Sequence, residues 1–340
     1  MSTEIRFTLI IQIHLDPLDL RLHLPLEDSD PMFGANYFYL DSDLKHVHPS
    51  KFKEAKTTTD SDTYKDGDIV EAWDHVFRWN KYCVPLRKWE EWRNLSDDLA
   101  DAALPAILGE GGGTDLLSRL EFAATQPNPD PSVQRFWVHL HSGFEQPLWP
   151  SREQVLRGQA VFYRYAPQIL ASLLQFSLSS GFSSPRVSRI LNIASYLVPP
   201  MESTPEGQSP RITKESNDRS FQRLMETTQW LVDCMGEGAM EPKGAGWSST
   251  VRVRLLHTMM RQRILEKSRR EWEATGSSLY NEKSDGIPIS QEDMISTLNS
   301  FTSAPLLCMV KTGITPLPEE CEDWTALWRV IGYYFGRTFL

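Results

Sequence analysis

From Ile69 to the C-terminus, apolar residues recur at spacings of three and four, interrupted by short breakers, and this pattern restricts most of the chain to helices. The stretch EAWDHVFRWNKYCVPLRKWEEWRNLSDDLADAAL, starting at Glu71, places aromatic and aliphatic side chains on one helical face. GEGGGTD (109–115) stops one helix and starts the next, and QPNPDPS (126–132) is a second break. Ser151 and Gln154 form a capping-box pattern that opens a helix through Arg164, and apolar helices are expected near 166–180 and 187–198. PPMESTPEGQSPRITKE (199–215) carries four prolines and reads as a long exposed loop. Helices follow at roughly 217–236, 249–274 and 290–311, the last opened by Ser290 and Asp293. A final helix, CEDWTALWRVIGYYFGRTFL, has no stop signal, as if the chain ended before its fold did.

The first 68 residues differ. IRFTLIIQI and LRLHL, within residues 1–35, alternate weakly and read as strands or irregular chain. Asp41 to Asp68 is rich in Lys, Thr, Asp and Ser and reads as a solvated loop. Strand signals after residue 40 are almost absent, and no repeat of 20 to 50 residues is visible. The expected architecture is all-α: an irregular N-terminal extension (1–68) before a helical domain (69–340) built around one core.

Composition narrows the function. The 340 residues carry a formal charge of -10 with the basic residues scattered, whereas nucleic acid binding needs a concentrated positive footprint. Cys83, Cys234, Cys308 and Cys321 form no CxxC pair, which argues against structural zinc and a disulfide framework and for a reducing, cytoplasmic setting. The N-terminus MSTEIRFTLIIQIHLDPLDL lacks the charge and apolar blocks of a signal peptide, and no window reaches the ~18 to 20 apolar residues of a membrane span. Membrane association is expected to be peripheral at most.

The histidines are the informative titratable set. His14, His23, His46 and His48 fall in the irregular region, where HVH (46–48) offers a metal clasp without accompanying carboxylates. His139 and His141 sit before Gly143 with a separation that suits an extended segment and a polar capping role. His257 lies inside a long amphipathic helix, SSTVRVRLLHTMMRQRILEK, and is the only histidine after His141. Leu256, Met260 and Ile264 give it an apolar face, with Arg254 three residues before and Arg261 four after. That pattern suits either a haem-iron ligand flanked by propionate-binding cations or a satisfied core histidine.

Five ordered blocks carry a resemblance that separates these readings: RGQAVFYRYAPQI (157–169), RLMETTQWLVDCMGEG (223–238), VRVRLLHTMMR (251–261), GIPISQEDMISTLNSF (286–301) and LWRVIGYYFG (327–336). Together they resemble the rubber oxygenases, or latex clearing proteins, a superfamily that includes an endoplasmic-reticulum-bound fungal oxygenase of mycophenolic acid biosynthesis. The resemblance implies a globin-like helical bundle holding haem b, with His257 as the iron ligand and Arg254 and Arg261 as propionate partners. In the latex-cleaving branch the distal helix carries Arg, then Lys and Thr one turn later; here these are Arg223, Glu226 and Thr227. Arg223 and Thr227 are therefore expected to act as distal hydrogen-bond donors. Glu226 replaces the lysine and, if desolvated, offers an acid or base.

The expected activity is haem b-dependent oxidation or cleavage of an apolar olefinic or prenyl-type small molecule by dioxygen, as in secondary metabolism, with Leu224, Trp230 and Leu231 lining the substrate space. The expected location is cytoplasmic, at most peripheral to the endoplasmic reticulum. Two alternatives remain at this level: a peroxidase-like haem enzyme in which Glu226 handles protons, and a helical binding protein that has lost haem. The QED sequence, Gln291 to Asp293, reads as a helix start that also supports the ligand helix, with Thr297 facing the same junction.

Overall fold

The protein is described from a computed structural model. It covers residues 38–39, 44, 46–54, 60–72, 75–109, 111–145, 149–194 and 214–336. The expectations for residues 1–35, for His14 and His23, and for most of the loop at 199–215 lie outside these residues.

The fold is all-α with little sheet. The helices are α1 (Leu86–Arg93), α2 (Asp98–Ile107), α3 (Leu116–Ala124), α4 (Pro131–His141), α5 (Arg152–Ser172), α6 (Leu178–Phe182), α7 (Pro185–Ala194), α8 (Lys214–Cys234), α9 (Ala245–Thr275), α10 (Glu282–Asp285), α11 (Gln291–Lys311) and α12 (Pro318–Tyr334). Their starts obey local capping chemistry. Asp97, Asp115, Asp130 and Ser151 each accept a hydrogen bond from a first-turn amide, and Ser290 and Asp293 complete a capping box. α12 does stop: it ends at Tyr334, and Gly336 takes the left-handed conformation (φ 83°).

Two expectations are corrected. Helix does not begin at Ile69: β3 (Ile69–Ala72) and β4 (His75–Arg78) form an antiparallel pair in a small sheet of order β1-β4-β3-β2, with β1 at Phe38–Tyr39 and β2 at Lys53–Glu54. Val70 and Phe77 are cross-strand partners and both are buried, so the apolar spacing of this window serves a sheet, and helix starts only after Pro85. His139 and His141 likewise lie in the last turn of α4, where the His141 Nδ1 atom is 2.9 Å from the Trp137 carbonyl oxygen. Their separation of two reflects no extended segment.

The core runs through α2, α4, α5, α9, α11 and α12. Trp247 and Trp324 are fully buried, and each donates its indole N–H, to the Leu140 and Thr302 carbonyls respectively, at 3.0 Å. Such a ring removes about 150–250 Å² from water, and an unpaired buried donor would cost about 1–3 kcal/mol. Position 157–169 belongs to α5, which kinks at Tyr165 two residues before Pro167 and continues through a π-helical turn at Leu173–Ser177.

α5 and α12 approach closely at Gly158, where an added Cβ would lie 2.3 Å from the Asp323 backbone oxygen and 2.9 Å from Leu327 Cβ. The obstacle is backbone, so it cannot swing aside. Gly158→Ala should therefore destabilise the protein by at least the ~1–3 kcal/mol typical of overpacking, measured by denaturant unfolding; an unchanged midpoint would show that the two helices separate freely.

Candidate functional site

α8 and α9 run antiparallel and touch at one end. Cys234 Sγ is 3.7 Å from Thr250 Oγ1, and Trp230 Nε1 donates to Thr250 Oγ1 at 3.1 Å. A Cβ on Gly246 would lie 2.6 Å from Cys234 Cα, so glycine permits this approach. Pairing Cys234 with Gly246 and Trp230 with Thr250 sets a register in which Arg223 is level with His257 and Thr227 with Val253. Arg223 and Thr227 lie four or seven residues before Leu231, Trp230 and Cys234, hence on the same helical face. That face is buried at Trp230, Leu231 and Cys234 but exposed at Arg223 and Thr227. The Trp230 end of the helix pair is therefore packed, while Arg223 and Thr227 are exposed, Arg223 level with His257 in this register.

His257 lies seven residues after Thr250, on the face of α9 that meets α8. Its side chain keeps some accessible surface, yet Nδ1 is buried and has no hydrogen-bond partner. Burial, then the charges of Arg261 and Arg223, lower its pKa to about 4, so the imidazole is neutral at neutral pH. A neutral imidazole with a ring nitrogen unclaimed by the protein is what a metal ligand requires. Its ring lies nearly parallel to Phe335 (centroids 6.0 Å apart, 19°), and Phe335 meets Trp230 edge-on at 5.3 Å. Phe301 and Trp328 complete this aromatic cluster, each edge-on to Trp230.

On α8, Arg223 Nη1 is 2.5 Å from Glu226 Oε2, with both side chains nearly half exposed. The Thr227 hydroxyl donates to the Arg223 carbonyl at 3.0 Å. Glu226 is thus placed as the partner of Arg223, in solvent, without the desolvation that its reading as an acid or base presupposed. Leu224 is half-buried beside them, while Trp230 and Leu231 are core residues.

Arg254 and Arg261 are engaged by other parts of the protein. Arg254, 2% exposed, makes a two-pronged ion pair with Asp97 at 2.6 and 2.8 Å, lies over the Phe136 ring, and donates to the Tyr334 carbonyl at 3.2 Å. Arg261 pairs with Asp101 at 2.5 Å and donates to the Pro288 and Ile289 carbonyls. Ile289 has φ 55°, a left-handed conformation that a β-branched residue adopts only under constraint. Arg254 therefore binds α9 to the start of α2 and the end of α12, and Arg261 binds it to α2 and the turn before α11. Buried at the same junction, Glu292 accepts both prongs of Arg93, at 2.7 and 2.8 Å, and a bond from Arg186 at 2.9 Å, while Arg186 also lies 2.7 Å from Asp293. Gln291 donates to the Ser96 and Gly336 carbonyls. The QED residues thus tie α11 to α1, α7 and the end of α12, and Thr297 bonds back to the Asp293 carbonyl of its own helix.

Comparison with known proteins bears on this part of the chain. Residues 210–338, which contain α8 to α12, match the family described as ER-bound oxygenase mpaB/B'/rubber oxygenase, catalytic domain. The match supports the rubber-oxygenase superfamily. It supports an oxidoreductase of oxygenase type, which implies dioxygen and a substrate. Four of the five rubber-oxygenase blocks fall inside the matched residues, and the block at 157–169 falls outside. No curated protein and no solved structure matches the chain. Among the described residues, no group of three or more His, Cys, Asp or Glu could hold a metal ion, and no helix is long and apolar enough to cross a membrane. A haem iron needs only one protein ligand, so the first observation bears on bare-metal sites alone.

Asp97, Asp101 and Phe335 went unnoticed in the sequence. Asp97 and Asp101 sit in a stretch that reads as an ordinary acidic helix start, and only the fold brings them to arginines 157 and 160 positions away. Phe335 lies within the fifth rubber-oxygenase block, so that block held the available signal.

Proposed function

We propose that the protein is a haem b-dependent oxygenase that oxidises or cleaves an apolar olefinic or prenyl-type molecule with dioxygen. The observation that carries this reading is the neutral imidazole of His257, whose buried Nδ1 has no partner, level in helix register with Arg223 on the neighbouring helix. His257 would be the protein ligand to iron. When bound, haem would supply the activation of dioxygen, chemistry that belongs to the cofactor.

The remaining roles belong to the chain. Arg223, level with His257 in the helix register, and Thr227, one turn on, would donate hydrogen bonds where negative charge develops. Glu226 would orient Arg223, since an Arg–carboxylate pair fixes the guanidinium geometrically. Apolar side chains beside them, such as Leu224, would exclude water and receive the apolar substrate. Arg254 and Arg261, whose hydrogen bonds go to Asp97, Asp101 and backbone carbonyls, would hold α9 in place, leaving propionates to other groups. By likeness to a family described as ER-bound, the protein would lie in the cytoplasm, peripheral to the endoplasmic reticulum membrane.

The test is reconstitution with haemin, a spectrum, and incubation with dioxygen or hydrogen peroxide in the presence of polyprenyl and aromatic-prenyl compounds. A Soret band and dioxygen-dependent products are expected. Absence of the band removes every haem reading, and turnover with peroxide alone replaces the oxygenase with a peroxidase. Arg223→Ala should lower kcat by about 10²–10³-fold, the loss seen when one charge-stabilising donor is removed, while haem content stays at the wild-type level. Unchanged kcat would remove Arg223 from the chemistry.

A further inference from the structure

We infer that Phe335 is a positioning residue that sets the plane of the His257 imidazole, an assignment that rests on the haem reading above. Phe335 is the first residue after α12 and is held on both sides. The Tyr334 carbonyl accepts from Arg254 at 3.2 Å, and the Gly336 carbonyl accepts from Gln291 at 3.1 Å. Gly336 is locked as well: a Cβ there would lie 2.6 Å from Asp97 Oδ2 and 2.7 Å from Arg254 Cζ, and its φ is 83°. The backbone on both sides of Phe335 is therefore packed against and hydrogen-bonded by side chains of α9 and α11. The ring between these two anchors is 7% exposed, faces the imidazole at 19° and abuts Trp230.

Among the described residues the imidazole makes no hydrogen bond. Whichever ring nitrogen would hold the iron, the other then has no hydrogen bond to select rotation about the Cβ–Cγ bond, which has a broad, shallow preference of its own. Metal-binding histidines are ordinarily oriented by a hydrogen bond from the second ring nitrogen. Here a flat aromatic face takes that place. The arrangement also gives a common purpose to Arg254 of the RLLH block and Gln291 of the QED block: both hold the backbone that presents Phe335.

Phe335→Leu keeps an apolar side chain and removes the flat face, whereas Phe335→Tyr keeps the face. In haem-loaded protein, F335L should release haem about tenfold faster, within the 10–100-fold range for loss of an orienting partner. Its ferric electron paramagnetic resonance signal should broaden as the imidazole samples several planes. F335Y should restore both, and the unfolding midpoint of haem-free F335L should not fall in proportion. If F335L fails to fold, F335M gives the same readout. A haem-loaded F335L with wild-type release rate and linewidth overturns the assignment and leaves the haem reading standing. Wild-type protein without a haem band overturns that reading, and the assignment falls with it.

Discussion

His257→Ala is expected to abolish haem retention while leaving the fold intact. The wild-type protein should bind haemin, and at about 100 times the dissociation constant the bound form should gain about 2.7 kcal/mol by mass action. The variant should show no Soret band and no shift of its unfolding curve on adding haemin. Haem-free protein should respond in the opposite sense to what a core histidine would give. Because Nδ1 is buried without a partner, the wild-type fold carries a desolvation cost of about 1–3 kcal/mol. His257→Leu relieves it, so that variant should be as stable as wild type or more so.

The pH dependence follows the same residue. Burial and the Arg261 and Arg223 charges lower the His257 pKa from 6.5 to about 4, so between these values the unfolded chain binds more protons than the folded one. Stability of the haem-free protein is present in full above 6.5 and falls as pH drops toward 4; His257→Leu should flatten that part of the profile. Normal haem content in His257→Ala would remove His257 as the ligand, whatever the stability data show.

How far a residue's role was legible in the sequence depended on whether its partners are local. Capping chemistry is local: Asp115 and Asp130, after the GEGGG and PNP breakers, and Ser290 before Gln291 mark helix starts within a few residues. His257 was recognisable because an apolar helical face is also local, and the family resemblance added what spacing alone left open. The direction taken by Arg254 and Arg261 was not recognisable. An arginine one turn from a ligand histidine serves a propionate or a buried carboxylate equally well in sequence, and the choice is made by α2, some 160 positions earlier. Residues 69–78 misled for a related reason. Short apolar runs fit both periods, and burial of Val70 against Phe77 is a cross-strand fact that no single window contains. The exposure of Arg223 and Thr227 was invisible for a third reason: they lie on the face that Trp230 and Cys234 bury, and no single window shows where along the helix that burial stops.

Arg254→Ala should destabilise the fold by about 3–5 kcal/mol, the range for breaking a buried ion pair by removing one partner. Burial alone would raise the pKa of Asp97, but the Arg254 charge and hydrogen bonds outweigh it and hold the carboxyl below its ordinary value. In the variant that compensation is gone. Asp97 is left buried, Gly336 loses its neighbour, and the Tyr334 carbonyl loses a donor. Two measurements separate this role from propionate binding. The loss should appear in full in the urea unfolding of haem-free protein, where a propionate anchor would cost nothing. It should also shrink when Asp97→Asn is added, because the uncompensated charge is then removed. The sign of the pH dependence follows: in the wild type the Asp97 contribution is present above the ordinary carboxylate pKa and is lost as pH falls through the lowered one. In Arg254→Ala the remaining burial raises the carboxyl, which takes up a proton on folding, so the gap between the proteins is widest at neutral pH and closes toward acid. Wild-type stability of haem-free Arg254→Ala, together with lost haem affinity, would return this arginine to the cofactor and break the link between Asp97, Gly336 and the His257 helix.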